Sequence, residues 1–363
     1  MQLQKRAKPA RHMLWLAPVL AIMLTLLTGT ALFAALGLSP LPVLKAFFVD
    51  PVRDAYGVSE LLLKVTPLLL CATGLSLCFR ARVWNIGAEG QFLLGSLCGG
   101  AVALWFNDEN LAGSARIGAV GAAVAAGIAG GMFWAGLVAL LRHRFNCSEI
   151  LTSIMLNYVA LNLLLWAVHG PLKDPDGFSF PESALLVDAL LLPSVVDGYR
   201  THVGFVLALL LLVALGVIGS RTLLGFQLRV VGESAAAARY AGFHEGRLLW
   251  LVLLACGGLA GLAGAFEVLG PVGQVTPHLS SGYGFAAIIV VFLGRGHPLG
   301  ILLAALLQAL TFIGGENLQI EFGLPKSIAF IFQGLLLFYL LAADVLVNYR
   351  LVISGDSVAQ VQG

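Results

Sequence analysis

Glu89 is the one acidic residue of the apolar, glycine-rich run 86–106, and Asn85 and Gln91 flank it closely. A charged side chain inside a membrane span is expensive and faces a cavity or a partner. Arg80 and Arg82, just before it, mark a membrane surface. Glu89 therefore fits two roles: an anchor paired with Arg80, Arg82 or backbone amides, or a residue of a solute path. A second polar set, Thr152, Ser153, Asn157 and Asn162, lies in 148–162 (SEILTSIMLNYVALN). Such groups bond between helices for about 0.6 kcal/mol each, or they wall a path for a neutral, hydrogen-bonding solute. Glu149 at the head of that segment suits a helix N-terminus. Glu267 sits near the end of 257–270 (GGLAGLAGAFEVLG), where Gly257, Gly261 and Gly264 share one helix face and permit close helix contact. It could pair structurally, touch a solute or touch a docked protein. On polarity and position, Asn85, Glu89, Asn157 and Glu267 are the candidates for a solute path.

Covalent chemistry finds no support. No nucleophile, base and oxyanion donors cluster, and the dipeptide Gly-Lys never occurs, which rules out a Walker A loop in this sequence. If ATP drives this protein, ATP and its Mg bind to a separate ATPase polypeptide, and this chain carries no cofactor of its own. His169, His278 and His297 lack the spacing of a metal site. Cys71, Cys78, Cys98 and Cys256 lie in apolar runs and read as small buried residues; Cys147 lies in a short basic loop.

The elements that position these residues follow from composition. Of 363 residues, 59% are hydrophobic and 11% are charged, against about 25% charged in a soluble protein. Glycine, at 43 residues, is in excess. A cytosolic enzyme, a disordered chain and a nucleic-acid binder are excluded, and a net charge of +2 is too small for any bulk electrostatic partner. Spans of about 20 apolar residues are expected near 13–38, 58–79, 86–106, 117–141, 149–169, 203–219, 248–270, a broken run over 284–313, and 324–347. The first is too long for the apolar core of a signal peptide. With alternate loops inside, thirteen Lys and Arg fall inside and five outside, which places the N-terminus in the cytoplasm. The C-terminus joins it if the broken run crosses twice or re-enters. Residues 285–293 (FAAIIVVFL) are too few to span and end at Gly294-Arg295-Gly296-His297-Pro298-Leu299-Gly300. Irregular backbone at membrane depth needs protein or a wet cavity to satisfy it, and broken helices often line transport paths; an ordinary tight loop is the plainer alternative.

The long cytoplasmic segment 220–247 has its own signal. Gly232, Glu233, Ala236, Arg239, Tyr240 and Gly242 fall in GESAAAARYAG, which reads as a short surface helix. Successive alanines favour helix, Gly242 suits its stop, and Glu233 and Arg239 complement the helix dipole. A short cytoplasmic helix of this kind docks an ABC permease on its ATPase; a plain connector is the alternative.

Five segments in this order, FRARVWNIGAEGQFLLG, SEILTSIMLNYVAL, ESAAAARYAGFHEGR, GGLAGLAGAFEVLG and GYGFAAIIVVFLGRGHPLGILLAALL, resemble the nucleoside and simple-sugar branch of bacterial ABC importer permeases, which includes ribose-type permeases. The resemblance covers roughly 60–350 and is greatest to the longer of two paired permeases in purine-nucleoside importers. It implies an all-α polytopic membrane protein of about 9–10 transmembrane helices, a type II-like permease with inverted repeats and broken or re-entrant helices. It implies alternating access in the inner membrane and, as partners, ABC ATPase subunits, a second homologous permease in a heterodimer, and a periplasmic or lipid-anchored substrate-binding protein, with membrane lipid around it and no nucleic acid. The segment 233–242 matches the family's coupling helix. Ala286 stands where an acidic residue often follows the GYGF segment, and Cys147-Ser148 replaces a more polar stretch. The organisation expected is a cytoplasmic tail 1–12, a transmembrane permease domain 13–347 with an external loop 170–202 and a coupling loop 220–247, and a cytoplasmic tail 348–363. The rival reading is a secondary transporter or channel for a small polar metabolite, for which Glu89, Glu267 and Lys64 are thin material.

Overall fold

A computed structural model describes residues 2–5, 11–177 and 180–352. Each apolar run becomes helix. The long helices are α1 (Arg11–Ala35), α3 (Ala55–Arg80), α4 (Ala88–Trp105), α5 (Gly113–Phe145), α6 (Glu149–His169), α7 (Val203–Arg221), α10 (Glu245–Glu267), α12 (Pro298–Phe322) and α13 (Ser327–Asn348). Seven of them, all but α4 and α13, have the length and apolarity to cross a membrane. Four short helices join them: α2 (Pro40–Phe48), α8 (Leu223–Glu233), α9 (Ala235–Tyr240) and α11 (Tyr283–Leu293). The break expected after 293 is present. Arg295 and Gly296 take left-handed φ values of 51° and 65°, and Pro298 then opens α12, where its missing N–H costs nothing.

The chain divides into two compact units. The larger, 54–309, is built on α3 and α10, whose spans are 83% and 72% buried; α6 and α7, at 28% and 22%, turn most of their apolar surface outward. Glycine sets the spacing of α4, α5 and α10. A β-carbon on Gly95 would collide with the backbone of Gly261, one on Gly131 with the carbonyl of Gly257, and one on Gly264 with the carbonyl of Phe92. The face of Gly257, Gly261 and Gly264 read from sequence is thus the contact face of α10. Irregular backbone beyond α10 is satisfied by the long loop before α7: Leu192 N donates to Leu269 O (2.7 Å), Leu186 N to Gly273 O (2.8 Å) and Ser183 N to Val275 O (3.0 Å).

The smaller unit comprises 1–53 and 310–363. Its core is Phe33, Phe47 and Phe332 with Val43, Ala46, Leu318 and Ile328; the Phe47 and Phe332 rings stack at 4.8 Å. Helix α2 was not evident in the sequence, because nine residues starting at a proline leave no periodic signal. Strand β1 (Gln2–Lys5) pairs antiparallel with β2 (Tyr349–Val352), Gln2 opposite Val352 and Lys5 opposite Tyr349. The fold is the all-α one expected, and this short ribbon gives part of both expected tails a structure. Arg6, Lys8 and residues 353–363 of those tails lie outside the described residues.

Candidate functional site

In the turn 81–87 between α3 and α4, backbone bonds hold residues 81–85, and the polar groups of 86–87 and the start of α4 are met by side chains. Ser153 and Asn157, one turn apart on α6, do this. The Ile86 amide donates to Ser153 Oγ (3.2 Å), Asn157 Nδ2 donates to Ile86 O (2.8 Å), and the Gly90 amide donates to Asn157 Oδ1 (2.9 Å). Asn85 is fully buried; its Oδ1 accepts from the Gly87 amide (2.9 Å), and its amide pairs both ways with Gln91 at 3.2 Å. Asn85 and Asn157 therefore spend their hydrogen bonds on holding the start of α4.

Glu89 lies in the first turn of α4, 7% exposed. Its Oε2 accepts from the Gly284 amide at 2.7 Å, and Ser280 and the Phe285 amide also face the carboxylate. Of the partners expected, backbone amides are the ones found; no ion pair with Arg80 or Arg82 is present among the described residues. Glu89 thus caps the N-terminus of α11 from another helix. The approach is close enough that a β-carbon on Gly284 would collide with the Glu89 backbone. One side of the node opens on a cavity of about 180 Å³ lined by Glu89, Asn157, Tyr158, Ser280 and Phe285.

Glu267, 9% exposed, ends α10 and reaches the same half-helix. Tyr283 Oη donates to Glu267 Oε1 at 3.5 Å. A second cavity of about 180 Å³ lies there, lined by Glu60, Lys64, Arg200, Glu267 and Tyr283; Arg200 bridges both Glu60 oxygens at 3.3 and 3.4 Å. The two candidate carboxylates therefore converge on consecutive residues of α11, Glu267 on Tyr283 and Glu89 on Gly284. Ser280 and Tyr283 are members of this arrangement that no pattern in the sequence points to, because they lie in the polar stretch before 285–293; Gln91 and Ser153, noted for their polarity, join the candidates here.

Segment 220–247 folds as two helices where one was expected. Gly232 and Glu233 belong to the end of α8, and Gly232 is buried against the Arg80 carbonyl. Ser234 is the N-cap of α9, its Oγ accepting from Ala237 N at 3.2 Å. A β-region cap followed by alanines explains why α9 restarts there. Gly242 ends it with φ 77°. Ala238 is buried, Ala236 is exposed, and Tyr240 is 97% exposed. Arg239 bonds Glu245 at 2.9 Å across the turn into α10.

His202 is a further buried polar residue, one that no pattern in the sequence marks out. It caps α7, its Nδ1 accepting from Gly204 N at 3.1 Å, and its ring meets Phe266 edge-on. Burial pushes its imidazole down to about 4, which keeps it neutral and able to accept.

The capped half-helix α11, packed among helices long and apolar enough to cross a membrane, defines a multi-pass membrane protein. Residues 57–341 match the family described as branched-chain amino acid transport system / permease component, and the chain belongs to that family. It is 34% identical to the glucose ABC transporter permease protein TsgB13 of Haloferax volcanii, over 97% of this chain and 93% of that protein. It is 33% identical to the guanosine ABC transporter permease protein NupP of Bacillus subtilis (86% and 89%). To the nucleoside ABC transporter permease protein NupB of Lactococcus lactis it is 28% identical, over 90% of each.

Proposed function

We propose that this permease imports a nucleoside or a simple sugar across the inner membrane by alternating access, as one of two similar permeases above a pair of ATPase subunits. The relatives named for guanosine, nucleosides and glucose support the solute class: all are rings dense in hydrogen-bonding groups. ATP and Mg belong to the ATPase, and a periplasmic or lipid-anchored binding protein delivers the solute. Both termini lie in the cytoplasm. The thirteen-to-five distribution of basic residues supports this, as does the β1–β2 pairing, which sets Gln2–Lys5 beside Tyr349–Val352.

The observation that carries the coupling role is α9. It is six residues long, capped at both ends, with Ala235, Ala236 and Ala237 exposed and Tyr240 almost fully so. A small-residue helix with one protruding aromatic fits a groove on another protein. The docking residues are thus Ala236, Arg239 and Tyr240, with Gly242 as the stop; Gly232 and Glu233 set the angle at which α8 delivers the helix. In the whole transporter reconstituted in liposomes, Arg239→Glu and Tyr240→Ala should abolish uptake of labelled guanosine or glucose while the permease still inserts and elutes as wild type. Normal uptake with normal solute-stimulated ATP hydrolysis in both variants would refute the docking role. Uptake that ignores ATP would favour a secondary transporter.

A further inference from the structure

We propose that the arginines where α3, α7 and α8 meet form a site for the phosphodiester headgroup of an anionic membrane lipid. Arg80 ends α3, and its side chain lies over Gly219 on α7, where a β-carbon would collide with the guanidinium. Gly225 lets the start of α8 close against Gly219. The Nη1 of Arg80 is enclosed there with no hydrogen-bond acceptor, although the residue as a whole is only half-buried. Gly232 of α8 packs on the Arg80 carbonyl. Arg229 stands three residues earlier on α8, on the same face, and its positive charge acts on Arg80.

The charge of Arg229 acts on Arg80, and no carboxylate pairs with either among the described residues. Arg142, Arg200 and Arg239 each pair with a glutamate, at 3.3, 3.3 and 2.9 Å. Among the described residues Arg80 and Arg229 pair with none. Arg82 and Arg221, in the adjoining segments, do not either, and Glu233 at the end of α8 forms no ion pair with any of them. Like charges held together at a half-buried position repel, and an anion between them reverses the sign of that interaction. Guanidinium groups match phosphate through paired N–H donors.

Lipid is the source the surroundings favour. Leu223 and Phe226, in the first turn of α8, are both more than half exposed. Phe226 stands one turn before Arg229 on the same face of α8, so an exposed apolar side chain adjoins that arginine, as an acyl chain below a headgroup requires. Basic pockets between membrane helices hold anionic headgroups in this way, with about 1 kcal/mol per Arg near the surface.

The test uses the complete transporter, purified in detergent and stripped of lipid. Retained phosphatidylglycerol is read by native mass spectrometry, and melting temperature is followed as phosphatidylglycerol, phosphatidylcholine or inorganic phosphate is added. The site predicts retention of phosphatidylglycerol and a higher melting temperature with that lipid alone. Arg80→Gln/Arg229→Gln should weaken retention at least about tenfold, the fold-change expected for two such contacts. Arg229→Gln alone, on an exposed position, serves if the double variant does not fold; Arg116→Gln, at the far end of α5, should behave as wild type. An equal effect of phosphatidylcholine, or undiminished retention in the variants, would overturn the site. Equal action of inorganic phosphate would show a free-anion site and overturn the lipid. Loss of the ATPase subunits from the variant with lipid retention unchanged would assign the arginines to that partner and overturn it equally.

Discussion

Removing the carboxylate of Glu89 should release the N-terminus of α11. That helix has only 11 residues and begins with backbone N–H groups that have no partner within the helix. Glu89 accepts from one of them, Gly284 N, at 2.7 Å in a buried setting. In Glu89→Ala the amide is left unsatisfied, which costs about 1–3 kcal/mol, and the favourable charge at the helix N-terminus is lost, worth up to ~2 kcal/mol in buried geometry. A central value of about 3 kcal/mol corresponds to a roughly 150-fold rise in local opening, at 1.4 kcal/mol per tenfold. Glu89→Gln keeps an oxygen acceptor and loses the charge, so about 1 kcal/mol and a less than tenfold rise are expected. Hydrogen–deuterium exchange of the purified transporter reads this directly at the amides of 284–287. The order Ala, then Gln, then wild type is required. Equal exchange in all three would show that Gly284 is held by packing alone, and a Gln effect as large as Ala would show that charge, not hydrogen bonding, dominates.

Gly261→Leu should separate α4, α5 and α10, because the new side chain meets the Gly127 carbonyl and the Gly131 backbone; overpacking of this kind costs about 1–3 kcal/mol or more, seen as a lower melting temperature and poor expression. His202 gives a pH test. Its folded value near 4 lies below the ordinary 6.5, so the unfolded chain binds the extra proton between those values, and stability must fall as pH drops from 6.5 to 4, by up to about 3 kcal/mol. His202→Asn, which can still cap α7, should flatten that part of the melting-temperature profile relative to wild type; an unchanged slope would remove His202 as its source.

The spans were legible because twenty apolar residues in a row have few other uses. The break after 293 was legible because glycines and a proline crowd it. What escaped sequence reading were facts of three-dimensional adjacency. Glu89 was visible as a costly charge, but its partner lies 195 residues away as a backbone amide, which no side-chain pattern announces. Segment 232–242 was recognised as helical, yet the role of Ser234 as a cap, which ends α8 and starts α9, was masked by the continuous helix-favouring run around it. No sequence pattern marks His202, since its capping and burial depend on where α7 meets Phe266 and Gly270.

The glycine contacts of α4, α5 and α10 also bear on how this sequence is free to drift. At Gly131 and Gly264 the atom in the way is a main-chain carbonyl, of Gly257 and of Phe92. A clash with a side chain can be relieved by a second mutation that shortens the neighbour. A clash with a carbonyl cannot, because every amino acid carries one. Lesions at these positions are therefore expected to lack local second-site suppressors, unlike lesions at Gly29, which faces the ring of Phe332, where a smaller residue at 332 can restore the space.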